Sequence, residues 1–418
     1  MDKLKIGLIG LGTVGSGVYK SLKEFDNVEI VKIAVRNISK PRSVEVPMEM
    51  LTDNPYDVVN NPSIDVVVEL MGGVDPAWEY IKTALENGKH IVTANKELLA
   101  KKGEELFNLS EKQNRVVLYE AAIAGGIPII MPIKTIMAGN KINKIQAILN
   151  GTTNYILTKM DVDGASYEDV LKESQELGYA ETDPTGDVEG FDAAYKITTL
   201  GTIAFNSRIK FENVYREGIT KIRKEDMKNA NELGYKIKLI ASATIDENNN
   251  ADVRVHPMLV SKKNMLAHID YVTNAVAMSG HPIGNVVLSG PGAGEFPTAS
   301  SVIGDILAIA REWKTTEYLL PMMRCHHHSL ANPIRIEDTY NRYYFSIIAP
   351  NAIGVIAKIG SICANKNISL SSILQKGVSE NNTAEITVIT EKCLEKSIKE
   401  VIAELDGCEV SSLIRVME

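Results

Sequence analysis

Short apolar runs rich in Val and Ile at 5–9, 28–35, 64–70, 91–93 and 116–119 alternate through the first third of the chain with helix-period segments such as 76–87 and 97–113. Apolar runs separated by helical patterns in this way predict a parallel sheet buried under helices on both faces. Pro76 sits where a first helical turn tolerates it, and Gly88 follows the last periodic residue as a helix stop. From about residue 140 the rhythm changes. An apolar strand ends in Asn150-Gly151-Thr152-Thr153, helices follow near 167–177 and 188–205, and strand-like runs at 235–245, 253–260 and 271–278 succeed one another without long helices. That order predicts an open sheet with antiparallel pairs. A helix-period stretch at 298–313, opened by Pro297, is placed to return to the first unit.

Residues 322–342 hold three consecutive histidines, Asn332-Pro333 and mixed charge, which reads as a linker. Strands at 343–348, 368–375 and 384–390, helices at 355–366 and 393–405, and a last strand near 409–416 then compose a βαββαβ unit. The expected fold class is α/β, in three parts. Residues 1–137, with 297–320 returning to them, make a doubly wound parallel sheet. Residues 138–296 make an α+β unit with an open mixed sheet, and after a linker at 321–342 residues 343–418 make a ferredoxin-like unit.

Composition narrows the partners. With 23% charged and 44% hydrophobic residues the chain is an ordinary globular one. Its 45 basic and 53 acidic residues give a net charge of −8 without a basic stripe, so no nucleic acid is expected. The most apolar stretch, 121–133, contains two Gly and two Pro and falls short of the roughly 20 residues that span a bilayer. No membrane partner and no signal peptide are expected, which places the protein in the cytoplasm. The four cysteines form no C-x-x-C pair and are expected to be reduced packing thiols.

Gly10-Leu11-Gly12-Thr13-Val14-Gly15 follows a predicted strand and opens a predicted helix, the context of a Rossmann dinucleotide loop. Gly10 permits the turn, Gly12 lets backbone approach a pyrophosphate, and Gly15 lets helix and strand pack closely. Thr13 and Val14 open the helix whose N-terminus faces the phosphates. At the end of the second strand, where a carboxylate would bind the ribose of NAD, the chain has Val35-Arg36-Asn37, with Lys40 and Arg42 nearby. NADP is therefore the expected cofactor, with NAD as the alternative.

A second constellation lies at Gly178-Tyr179-Ala180-Glu181-Thr182-Asp183-Pro184, followed by Asp187, Asp192 and Lys196. Asp192 and Lys196 stand four apart on one helical face. Alone they would read as a surface ion pair, but the polar loop carrying Glu181 and Asp187 adjoins the same helix start. A hydride delivered to a carbonyl leaves an oxyanion that needs a proton, and a lysine beside a carboxylate can supply it. Burial would lower the pKa of Lys196 and Asp192 would raise it, and sequence leaves that balance open. Thr93-Ala94-Asn95-Lys96 ends a sheet strand, where open α/β sheets bind ligands, so Lys96 is a second candidate for the carbonyl.

These blocks, with Glu69-Leu70-Met71-Gly72-Gly73, Glu120 to Pro128, Asn150 to Leu157 and Gly292-Ala293-Gly294 through Asp305, closely resemble homoserine dehydrogenase. The tail from Tyr343 resembles the regulatory ACT domain carried by many members. The resemblance implies an oxidoreductase on the CH–OH group that interconverts L-homoserine and L-aspartate 4-semialdehyde on the route to threonine and methionine. It implies Lys196 as proton donor and acceptor, with Lys96 supporting the reacting oxygen. It further implies Glu181, Asp187 and Asp192 at the substrate, Gly151 and Thr152 framing the pocket, and Thr93, Thr298 and Ala299 lining the cofactor. A structural monovalent cation, Na+ or K+, is implied beside Glu120, on backbone oxygens of Ile123, Gly125 and Ile127. A homodimer or homotetramer is implied, and an amino-acid effector such as threonine at the ACT domain. No kinase-sized region precedes the nucleotide loop, so the form fused to aspartate kinase is not expected. Two other readings stand beside this one: an amino-acid sensor with an inactive enzyme half, and a dehydrogenase of another amino-acid semialdehyde.

Two features depart from the family pattern. The ACT loop usually carries Asp-x-Pro-Gly and here reads Asn351-Ala352-Ile353-Gly354, keeping the glycine and losing the carboxylate. His326-His327-His328 has no counterpart. Adjacent histidines in a linker rarely converge on a metal by themselves, so this run is expected to be solvated.

Overall fold

The computed structural model describes residues 3–314, 319–378 and 382–417. The first sheet holds β1 (Leu4–Ile9), β2 (Val28–Ala34), β3 (Leu51–Thr52), β4 (Val66–Glu69), β5 (His90–Thr93) and β6 (Val117–Leu118), in the order β3-β2-β1-β4-β5-β6. Every pair is parallel. Ile6 and Leu8 on β1 and Val66, Val67 and Val68 on β4 are fully buried, as strands covered on both faces require. The order reverses between β1 and β4, which opens a crevice at their carboxyl ends. The helix Glu295–Glu312 returns to this unit. It lies so close to the helix Thr13–Leu22 that a Cβ on Gly17 would sit 2.7 Å from the Glu295 carbonyl oxygen, and Lys20 pairs with Glu295 at 2.7 Å.

The second sheet contains β7 (Lys141–Ile148), β8 (Tyr215–Arg216), β9 (Tyr235–Ile245), β10 (Asn250–Ser261), β11 (Thr273–His281) and β12 (Gly284–Pro291). Its path β12-β11-β7-β9-β10 is antiparallel at each step. β11 begins two residues later than its apolar run because Tyr271 has φ 56°, a left-handed turn conformation incompatible with a strand.

After β13 (Asn332–Pro333), the C-terminal unit holds β14 (Tyr340–Pro350), β15 (Leu370–Val378), β16 (Thr383–Thr390), β17 (Cys393–Leu394) and β18 (Glu409–Val416). Its main order is β18-β14-β16-β15, with the helices Val355–Asn365 and Glu395–Glu404 on one face. Tyr343, Phe345 and Ile347 pack under those helices, while Tyr344 turns the other way into the main core. β18 also pairs in parallel with β10, at Met258↔Arg415 and Leu259↔Val416, so one sheet runs through the second and third units.

The linker is less free than its composition suggests. Asn332 and Pro333 pair with Asn250 and Ala251, and the Arg208 backbone N–H donates to the Ser329 carbonyl at 2.7 Å. The expectation that the histidine run is solvated fails at His327, which is buried with Nδ1 2.9 Å from Asn206 Oδ1. His326 and His328 are exposed.

Candidate active site

The glycine loop leaves the end of β1 and turns into the helix Thr13–Leu22. Gly10 has φ 102°, and a Cβ there would lie 2.8 Å from the Leu70 carbonyl oxygen; one on Gly15 would lie 2.3 Å from the Gly10 carbonyl oxygen. Gly12 faces open space. Two glycines are thus required by the chain itself, and the third leaves room for a ligand. At the end of β2 the Arg42 guanidinium donates to the carbonyls of Ile38, Lys40 and Asn37. It closes the loop, leaving Arg36 and Lys40 as the exposed cations there.

Glu69, at the end of β4, is fully buried. It accepts from Thr93 Oγ1 at 2.7 Å and from the backbone N–H groups of Met71 and Gly72 at 2.8 and 3.2 Å. Burial pushes its carboxyl above the usual range, with Thr93 pulling the other way. Thr93 in turn accepts from Asn95 N, and Asn95 caps the helix Lys96–Lys112, so Lys96 is its first residue.

Lys96 reaches Asp192. One carboxylate oxygen of Asp192 is 2.6 Å from Lys96 Nζ, and the other is 2.6 Å from Lys196 Nζ. Asn150 Nδ2 bridges Asp192 Oδ2 at 3.0 Å and Asp187 Oδ1 at 2.7 Å, and Lys196 also donates to the Leu149 carbonyl at 2.7 Å. The lysines differ in exposure: the Lys96 side chain is 43% exposed and that of Lys196 11%. Burial pulls the Lys196 pKa below its ordinary value against the opposing charge of Asp192, whereas that charge raises Lys96. Asp192 is itself buried, yet Lys196 and Lys96 outweigh the burial and hold its carboxyl well below the usual range. Asp187 is pushed up, by burial first and Asp192 second.

Thr152 Oγ1 donates to the Tyr179 carbonyl at 2.7 Å, pinning the loop that carries exposed Glu181. Gly151 lies against the Val272 carbonyl. Thr298 and Ala299 are buried in the first turns of the helix Glu295–Glu312, Ala299 opposite Gly17. The Glu120 carboxylate accepts three backbone N–H groups, from Ile129, Ile130 and Met131, within 2.8 Å, and so is spent on the chain. Gly125 has φ 60°, and its carbonyl accepts from Ser301 Oγ at 2.6 Å.

Asn150, Glu69 and Asp305 stand in the blocks that carry the family resemblance, but sequence alone assigns them no role. Asp305, buried with its pKa driven up by desolvation and by Glu120, accepts from the Glu120 backbone N–H at 2.9 Å. Of the three, Asn150 also carried a local signal of its position, an N-cap residue before Gly-Thr-Thr.

Three family models match the chain: "Homoserine dehydrogenase, NAD binding domain" over 10–120, "Homoserine dehydrogenase" over 128–307 and "ACT domain" over 343–409. A homoserine dehydrogenase of Neisseria gonorrhoeae is 40% identical over 428 residues, spanning 98% of this chain and 96% of its own length. The chain belongs to the homoserine dehydrogenase family. It is an oxidoreductase acting on a CH–OH group, with a Rossmann NAD(P)-binding sheet and a C-terminal ACT domain. The crystal structure of a homoserine dehydrogenase from Thiobacillus denitrificans has a TM-score of 0.94 and 39% identity, covering 100% of this chain and 99% of that one. A hyperthermophilic archaeal homoserine dehydrogenase solved in complex with NADPH has a TM-score of 0.63 and 28% identity, covering 74% and 98%. No helix among the described residues is long and apolar enough to cross a membrane.

Proposed function

We propose that Lys196 and Lys96 divide the work of interconverting L-homoserine and L-aspartate 4-semialdehyde, on the route to threonine and methionine. The observation that carries this reading is the single carboxylate of Asp192 set 2.6 Å from both ammonium groups, whose pKa values move in opposite directions. Environments that drive two titratable groups apart assign their roles. Lys196, the buried one, gives up its proton more readily and delivers it to the carbonyl oxygen, or removes it in reverse. Lys96 stays charged and stabilises the oxygen as negative charge develops. Bound NADPH supplies the hydride. Glu181 and Asp187 meet the substrate's ammonium group, Gly151 and Thr152 frame its pocket, and Thr93, Thr298 and Ala299 line the cofactor. Arg36 and Lys40 favour the 2′-phosphate of NADP. Aldehyde reduction assayed with both cofactors tests this: NADPH should show the lower KM. Lys196→Ala should lose about 10²-fold or more in kcat, in line with a lost general acid, with NADPH affinity kept. Near-normal turnover, or equal KM values, sinks the respective assignment.

The division into a cofactor unit at 1–137, a substrate and dimerisation unit at 138–296, a linker and a regulatory unit belongs to the same reading. A cavity of about 200 Å³ beside Asn351, Gly354 and Gln375 is sized for an amino-acid effector such as threonine. Gly354 there has φ 91° and keeps the turn open despite the altered loop. β12, at one end of the long sheet, offers its edge to a second copy, as in a homodimer or homotetramer; a monomer by light scattering would refute it. With Glu120 committed, a monovalent cation would rest on the carbonyls of Ile123, Gly125 and Ile127 in a structural role. An unchanged Tm on replacing K+ and Na+ by tetramethylammonium would speak against it.

A further inference from the structure

We propose that Glu111, His326 and His328 form a binding site for one divalent transition-metal ion that fastens the linker to the helix bearing Lys96. His327 turns inward to Asn206, and its neighbours turn outward. The His328 backbone N–H donates to the His326 carbonyl at 2.9 Å, a tight turn that draws the two outward rings together, with centroids 6.3 Å apart. The third group comes from far along the chain. Glu111 lies in the last turn of the helix Lys96–Lys112, and its Oε1 is 3.4 Å from His326 Nδ1. One ligand atom from each of the three lies within 4.8 Å of the others.

Tetrahedral coordination with bonds of about 2.0–2.1 Å puts ligand atoms roughly 3.3 Å apart. The histidine–glutamate pair already meets that spacing, and exposed side chains can close the rest. Two imidazoles and a carboxylate suit Zn²⁺, Co²⁺, Ni²⁺ or Cu²⁺, whereas Mg²⁺ and Ca²⁺ prefer all-oxygen sets. The backbone approaching the site is held in place without a metal. Lys134 Nζ donates to the carbonyls of Met323 and Arg324 and to Cys325 Sγ, all within 3.0 Å, and Arg324 donates to Asn114 Oδ1 at 2.8 Å. A metal would therefore join two segments already side by side, and the ordering it requires is small.

Untagged full-length protein, stripped with chelator and titrated with Zn²⁺ or Co²⁺, should bind one ion per chain at this site and gain Tm. The Co²⁺ form should show visible d–d absorption without a near-ultraviolet thiolate band. Glu111→Gln and the double variant His326→Asn/His328→Asn should each weaken binding by about tenfold or more, the scale on which metal sites respond to loss of supporting groups. NADPH affinity should stay unchanged in both variants. Absence of saturable binding, full binding in the double variant, or a thiolate band would overturn the proposal. Full binding in Glu111→Gln would overturn the three-ligand site, leaving a two-histidine loop.

Discussion

At Asp192 one buried carboxylate serves two lysines in unlike surroundings, and the pH dependence follows from which of them it restrains. On the proposed assignment Lys196 carries the proton used in aldehyde reduction, so the rate should fall as pH rises through the pKa of Lys196. Burial already lowers that pKa, and Asp192 opposes the fall. Asp192→Asn keeps the shape and removes the opposition, so the basic limb of the kcat/KM profile should move to lower pH. A shift of about one unit corresponds to ~1.4 kcal/mol of lost interaction. A limb that stays in place or moves upward would show that Lys196 is not the titrating acid. The i,i+4 spacing of Asp192 and Lys196 is readable in sequence, because helical period alone puts them on one face. The approach of Lys96 is not, since it depends on how the helices Lys96–Lys112 and Phe191–Phe205 pack. Nor is the direction of the Lys196 shift, because burial depth is a property of the assembled fold. Glu111 was invisible for the same reason: nothing near it in sequence hints at two histidines.

Among the elements, the glycine loop separates what the chain needs from what a ligand needs. Gly15→Ala would press a methyl to 2.3 Å from the Gly10 carbonyl oxygen and displace the helix Thr13–Leu22. Such overpacking costs about 1–3 kcal/mol, so both Tm and NADPH affinity should drop. Gly12→Ala meets nothing in the protein and should leave Tm alone while NADPH affinity falls about tenfold or more, if the pyrophosphate sits there. Equal behaviour of the two variants in differential scanning fluorimetry and NADPH fluorescence titration would contradict this reading. Most elements are legible because period and terminators agree: the run at 5–9 became Leu4–Ile9, and the helix at 97–113 became Lys96–Lys112. β3 is not, because two residues carry no period. The start of β11 depends on the left-handed backbone at Tyr271, which no tyrosine announces.

Over the whole molecule, the βαββαβ pattern of the tail is plain in sequence, but its attachment is not, since strand pairing between β10 and β18 depends on edges that sequence does not identify. The attachment is polar as well as sheet-like. Asp226, fully buried on the helix Lys224–Glu232, accepts from Ser412 Oγ at 2.6 Å and Tyr344 Oη at 3.0 Å, and pairs with Arg223 at 2.9 Å. Arg223 reaches on to Glu385 at 3.1 Å, and Asn229 donates to Tyr344 and Thr387. One side chain of the second unit therefore gathers donors from two adjacent strands of the ACT unit, β14 and β18, on the face turned away from the ACT helices. Asp226→Ala would strand those donors, and each unsatisfied buried group costs about 1–3 kcal/mol. The ACT unit should then become the first part of the chain cut in limited proteolysis. Any response of activity to threonine should weaken, while kcat without effector stays within about twofold, because the Lys196 cluster makes no contact with Asp226. Wild-type resistance to proteolysis together with an intact effector response would mean that the β10–β18 pairing alone holds the ACT domain in place. A proportional loss of basal kcat would mean instead that the continuous sheet couples the two units even at rest.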